Sequence, residues 1–68
     1  MESVYKLIEI IGTSEKSWED AARTAVETAQ KTLKDLRVAE VKELDIRIEN
    51  GKMYFRSKLT VSFKYHDE

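Results

Sequence analysis

The segment RVAEVKELDIRIE (37–49), Asn50-Gly51, KMYFRSKLTVSFKY (52–65) decides the fold of this 68-residue chain. Asn-Gly between two alternating hydrophobic runs is the strongest short-range hairpin signal, because both central residues of a type I′ turn need φ > 0. Each arm would reach ~40 Å at the rise of an extended strand, roughly twice the usual strand length. In the first arm Ala39 and Val41 hold odd positions, whereas Leu44, Ile46 and Ile48 hold even ones. A strand changes its inward face only by inserting a residue, so a bulge or bend is predicted around Lys42-Glu43. The second arm keeps phase: Met53, Phe55, Leu59, Val61, Phe63 and Tyr65 point one way, interrupted only by Ser57.

Upstream of the hairpin, Val4 to Ile11 is rich in β-branched and aromatic residues and stops at Gly12-Thr13-Ser14, which reads as a first strand ending in a loop. Leu7, Ile8, Ile10 and Ile11 place apolar groups on both faces, as suits a strand covered on both sides. A helix is expected from about Ser17, where Ser17 and Asp20 form a capping box with the shorter acid. Trp18, Ala21, Ala22, Ala25, Val26, Ala29, Leu33 and Leu36 make its apolar stripe. Glu19, Arg23, Glu27, Lys31 and Asp35 form a solvated face of alternating charge, with Lys31 and Lys34 set against the C-terminal end of the dipole. The third strand fits between the other two if strand one, the helix and strand two form a right-handed crossover. The expected fold is therefore α+β, a single β-α-β-β domain over 1–68, with a three-stranded antiparallel sheet ordered 1-3-2 on one helix.

One helix cannot cover such a sheet. A domain this small buries only ~60% of the surface of its unfolded chain. There is no cysteine to supply a disulfide or a thiolate site, and no histidine cluster for zinc. Self-association is the remaining source of stability. Twelve basic residues balance 13 acidic ones, so no basic field favours nucleic acid. The N-terminus has no basic region leading into an apolar stretch, and no apolar run approaches the ~20 residues of a membrane span. A cytoplasmic protein with no nucleic-acid or membrane partner is expected.

Catalytic chemistry finds little purchase, and no catalytic residue is assigned. The only histidine, His66, lies near the C-terminus, away from any positioned nucleophile. Gly12 and Gly51, the only glycines, read as turn residues and not as a phosphate loop. The neighbouring carboxylates Glu19 and Asp20, or Glu43 and Asp45, read as solvated faces. Trp18 offers either a stacking surface or, more in keeping with the first turn of an amphipathic helix, an anchor in a core or interface. Arg37, Arg47 and Arg56 suit phosphate or carboxylate groups; the competing expectation is ion pairing with Glu9, Asp45 and Glu49. Calcium takes ~6–8 oxygen ligands, and no EF-hand loop supplies them. One carboxylate near a three-fold axis becomes three, so Glu43, Asp45 or Glu49 could form an ion site in an oligomer.

Val4-Tyr5-Lys6, Ile11-Gly12-Thr13-Ser14 followed by Ser17-Trp18-Glu19, Arg37-Val38-Ala39-Glu40-Val41 and Val61-Ser62-Phe63-Lys64 together resemble the dodecins over nearly the whole chain. The resemblance implies a hollow homododecamer that sequesters a small ligand, often flavin (FMN or riboflavin), and it implies no enzyme. In flavin-binding members a tryptophan early in the second strand stacks on the ring, and a glutamine in the third strand hydrogen-bonds it. The matching positions here are Val38 and Arg56, with Asp45 also lining that pocket by family analogy. The Ser-Trp-Glu helix start, the valine after Arg37 and the arginine at position 56 resemble the branch called calcium dodecin. The implied function is storage or buffering of a flavin-type or other phosphate-bearing ligand, with Ca²⁺ binding or a ligand-free structural oligomer as alternatives.

Overall fold

The computed structural model describes residues 2–65; His66, and with it the expectation about its role, lies outside the described residues. The chain forms β1 (Tyr5–Ser14), α1 (Trp18–Gln30), β2 (Leu36–Glu49) and β3 (Lys52–Lys64). β3 runs antiparallel to both other strands, giving the order β1-β3-β2. The long hairpin stretches the subunit to 51 × 20 × 15 Å.

The hairpin closes at the Glu49–Lys52 pair through Asn50 (φ 51°) and Gly51 (φ 79°), the positive values a type I′ turn demands. The phase change of β2 is also present. Val41 pairs with Leu59 and Glu43 with Lys58, so Lys42 is the extra residue. A second irregularity, between Leu36 and Val38, leaves Arg37 unpaired in the same way. The two insertions let Leu36, Ala39, Val41, Leu44 and Ile46 share the helix side of the sheet while Val38, Glu43 and Asp45 face away.

Two expectations are corrected. β1 runs on through Gly12, Thr13 and Ser14, so Gly12 is a strand residue and not a turn. It is glycine because the helix lies directly over it: an added Cβ would run into the Ala21 carbonyl oxygen and come within 2.9 Å of the Ala25 Cβ. The helix, for its part, ends at Gln30, with Lys31 as C-cap and no basic residue in the last turn. Leu36 begins β2 opposite Phe63, and Asp35 takes a left-handed conformation (φ 60°) while its carbonyl accepts from the Lys64 N–H. The chain must leave the helix early to enter the sheet at the Phe63 end of β3.

The core lies where α1 crosses β3 and β1. Ala21, Ala25, Leu59 and Val61 are buried, with Ile8, Ile10, Ala22, Val26 and Leu36 packed around them. Alanines on the helix permit this close approach. A helix of 13 residues covers about 20 Å at 1.5 Å per residue, less than half the length of the hairpin. Val41 and Leu44 beside its first turns, and Ile46, Ile48 and Met53 toward the hairpin tip, stay exposed on the helix side, Ile48 by 72%. On the opposite face, Tyr5, Leu7, Ile11 and Val38 are exposed as well. Among the described residues, no helix is long and apolar enough to cross a membrane.

Candidate functional site

The outer face of the hairpin is built from cross-strand rows. Register places Asp45 opposite Arg56, Glu43 opposite Lys58 and Arg47 opposite Tyr54. Because these residues alternate with the apolar positions on both strands, they all project away from the helix. Arg56 donates from Nε and Nη2 to the two carboxylate oxygens of Asp45 at 2.7 and 2.8 Å, a bidentate pair. Lys58 Nζ lies 3.1 Å from Glu43 and 3.9 Å from Asp45, and Arg47 pairs with Glu49 at 3.0 Å while lying over the Tyr54 ring. The charge-assisted hydrogen bond from Arg56 is the main cause holding the Asp45 carboxyl below its ordinary value, with the positive charges of Arg56 and Lys58 adding to it against partial desolvation. The Arg56 guanidinium is correspondingly raised.

The other side of the same strands meets the helix start. Ser17 caps α1 by accepting from the Asp20 N–H at 2.9 Å. The reciprocal half of the capping box does not form: the Asp20 carboxylate accepts from Ser14 Oγ at 2.7 Å and lies 3.5 Å from Arg23. Arg23 thus turns to Asp20 rather than to Glu19 or Glu27. Trp18 packs edge-on against Phe55 at 5.2 Å between centroids, and its indole Nε1–H donates to the Asp45 backbone carbonyl at 3.1 Å. The anchoring role expected of Trp18 is the one the structure gives it. Ser57, fully buried, donates from Oγ to the Trp18 carbonyl at 2.8 Å. The single polar interruption in the apolar row of β3 therefore ties down the first turn of the helix.

The three positions matched to the family's ligand pocket share the outer face but do not form one cluster. Asp45 and Arg56 are joined, whereas Val38 sits opposite Ser62 toward the other end of the sheet, in a row that continues to Leu7. Val38 is 61% exposed and presents only an aliphatic surface. The three carboxylates considered for metal, Glu43, Asp45 and Glu49, each have a basic partner within the chain. Among the described residues, no three acidic, histidine or cysteine side chains come together as a metal site. Sequence reasoning missed Ser57 and the Trp18–Asp45 bond; the polar break in an otherwise apolar row was the signal for the first.

Comparison with known proteins bears directly on this geometry. The family model described as Dodecin matches residues 4–66.

The chain belongs to the dodecin family. It is 54% identical over 63 residues to calcium dodecin of Mycobacterium tuberculosis, covering 91% of this chain and 89% of that protein. It is 40% identical over 68 residues to dodecin of Thermus thermophilus, covering 98% and 99% respectively. The crystal structure of the M. tuberculosis protein, described as a calcium chelating antigen with a novel calcium-binding site, superposes with a TM-score of 0.88 at 51% identity over 97% of this chain and 96% of that one. Dodecin from Streptomyces coelicolor gives a TM-score of 0.89 at 30% identity, with 97% and 96% covered. These neighbours have the dodecin fold of three antiparallel strands and one helix, as does this chain.

Proposed function

We propose that this chain is the subunit of a non-enzymatic homododecameric dodecin shell that binds and buffers a small ligand, and that the ligand is Ca²⁺ held between subunits. The observation that carries the assembly is the apolar overhang of the hairpin. Val41, Leu44, Ile46, Ile48 and Met53 form an apolar strip on the helix side that the described residues leave largely exposed. An exposed apolar strip on a small domain is a surface awaiting a partner, and a second copy of the chain is always at hand.

Two features favour the ion over a flavin. Val38 offers no aromatic face where flavin-binding members stack their ring, and base-type stacking is worth ~1–3 kcal/mol per aromatic contact. Arg56 already spends two donors on Asp45. The similarity to the M. tuberculosis calcium dodecin supports the same choice. Since no acidic cluster forms among the described residues of one chain, symmetry is the means of gathering the ligands. Glu43 and Glu49 are the better placed of the three candidates. Glu43 and Glu49 are themselves well exposed, and their partners are half-buried Lys58 and exposed Arg47. Such surface pairs contribute only ~0–1 kcal/mol, whereas Asp45 is held by two hydrogen bonds from Arg56.

Native mass spectrometry of the purified protein, combined with melting in the presence and absence of chelator, tests this reading. A twelvefold assembly whose melting temperature falls on chelation supports it. Flavin-sized adducts move the ligand assignment to flavin, a bare shell indifferent to chelator leaves a structural oligomer, and a monomer or dimer removes the shell.

A further inference from the structure

We infer that Asn50-Gly51 is a site of spontaneous deamidation in the folded protein, a chemical ageing mark at the tip of the hairpin. Asn50 is the only asparagine of the chain. It is exposed at the far end of the hairpin, and among the described residues no hydrogen bond or ion pair engages its carboxamide. The residue that follows has no side chain, and nothing lies within 4 Å of the place a Cβ would occupy. Glu49–Lys52 is the last pair of the ladder, so the Gly51 N–H stands outside it. The nucleophile, the electrophile and the path for the leaving group are therefore all open to water.

In the step, the Gly51 backbone nitrogen attacks Asn50 Cγ. A new N–Cγ bond forms and the Cγ–Nδ2 bond breaks. The amide proton of Gly51 leaves with the NH₂ group as ammonia, and a succinimide remains. Water then opens the ring at either carbonyl. Opening at Cγ gives aspartate in an unchanged backbone; opening at the other carbonyl routes the main chain through the side chain and gives isoaspartate. No oxidant or reductant is involved. Aspartate preserves the turn, since Asp-Gly suits type I′ as well as Asn-Gly does. Isoaspartate adds a backbone carbon to a two-residue loop and disturbs the register that the loop sets. Either product takes the formal charge of the chain from −1 to −2, one unit beyond its present value, and a homo-oligomer multiplies that change by its subunit number.

The test is incubation of the native protein in heavy-oxygen water at mildly alkaline pH, followed by peptide mass mapping and enzymatic methylation of isoaspartate. A urea-unfolded sample runs in parallel. The expected result is time-dependent conversion at Asn50 in the folded protein, with one heavy oxygen incorporated per event, both products present and the rate rising with hydroxide concentration. Asn50→Gly should keep the turn and abolish the modification, and Asn50→Asp should reproduce the charge shift without the isoaspartate. An Asn50 that stays intact in the folded protein while the unfolded chain converts would overturn the inference, because the turn would then be blocking cyclisation. Absence of conversion in both samples would overturn it equally.

Discussion

The indole N–H of Trp18 and the backbone carbonyl of Asp45 meet at 3.1 Å across 27 positions of sequence. This bond ties the hairpin, just beyond its Lys42 bulge, to the first turn of the helix. The Asp45 side chain on the other face of the strand is meanwhile held by Arg56. One residue thus joins the apolar and the charged sides of the sheet, through its main chain on one and its side chain on the other.

Trp18→Phe keeps most of the aromatic volume against Phe55 but removes the donor. A typical intramolecular hydrogen bond contributes about 1 kcal/mol, and an aromatic pair about 0.5–1.5 kcal/mol beyond its area. The substitution should lower stability by about 1–2 kcal/mol, visible as a reduced denaturation midpoint at constant protein concentration. Trp18→Ala should cost more than Trp18→Phe. Equal midpoints for Trp18→Phe and the parent would show that the bond to Asp45 adds nothing net.

The two glycines should respond to substitution in opposite ways. Gly12→Ala puts a methyl group into the Ala21 carbonyl, and backbone cannot swing aside as a flexible side chain does. Overpacking costs about 1–3 kcal/mol and sometimes more; here the helix must lift from β1, so a loss at or above that range is expected. Soluble yield and chemical denaturation check it.

At Gly51 an added Cβ has nothing within 4 Å, so Gly51→Val is not opposed by crowding at that atom. Its penalty is conformational, because a β-branched residue at φ 79° lies in a region that costs about 1–3 kcal/mol. Reduced assembly with a well-folded remainder is expected, measured by native mass spectrometry alongside circular dichroism. If Gly51→Val assembles like the parent, the turn conformation is not what holds the register of the hairpin.

The contrast between the glycines shows what the sequence conveyed and what it withheld. Local signals were legible: Asn50-Gly51 for the turn, the odd-to-even slip near Lys42 for the bulge, Ser17 for the helix cap. Each arises from neighbours within a few positions. Gly12 was misread because a glycine before Thr-Ser has the local look of a loop, while its reason is a helix backbone contributed by Ala21. The end of the helix was overrun for a similar cause. Leu33 and Leu36 continue the helical spacing, but the pairing of Leu36 with Phe63 wins over it. For the candidate site, ion pairing among Arg37, Arg47, Arg56 and Glu9, Asp45, Glu49 is legible as a set, without saying that Asp45 and Arg56 are partners. That pairing, its bidentate form and the Trp18 bond required the register, which no local pattern specifies.

Acid should weaken the hairpin through Asp45. Its folded-state carboxyl lies below the ordinary value of 3.8, chiefly because of the hydrogen bond from Arg56. A depressed folded pKa means that the unfolded chain binds the proton more readily. The stabilisation is therefore fully present above the unfolded pKa and is lost as pH falls from there through the folded value. Asp45→Asn removes that titration. It should flatten the acid limb of the stability–pH profile below about pH 4 while lowering stability at neutral pH, where the parent retains its charged pair. Denaturant midpoints across the acid range, measured for both proteins in the same salt, check this. Parallel profiles would place the acid sensitivity outside the Asp45–Arg56 pair.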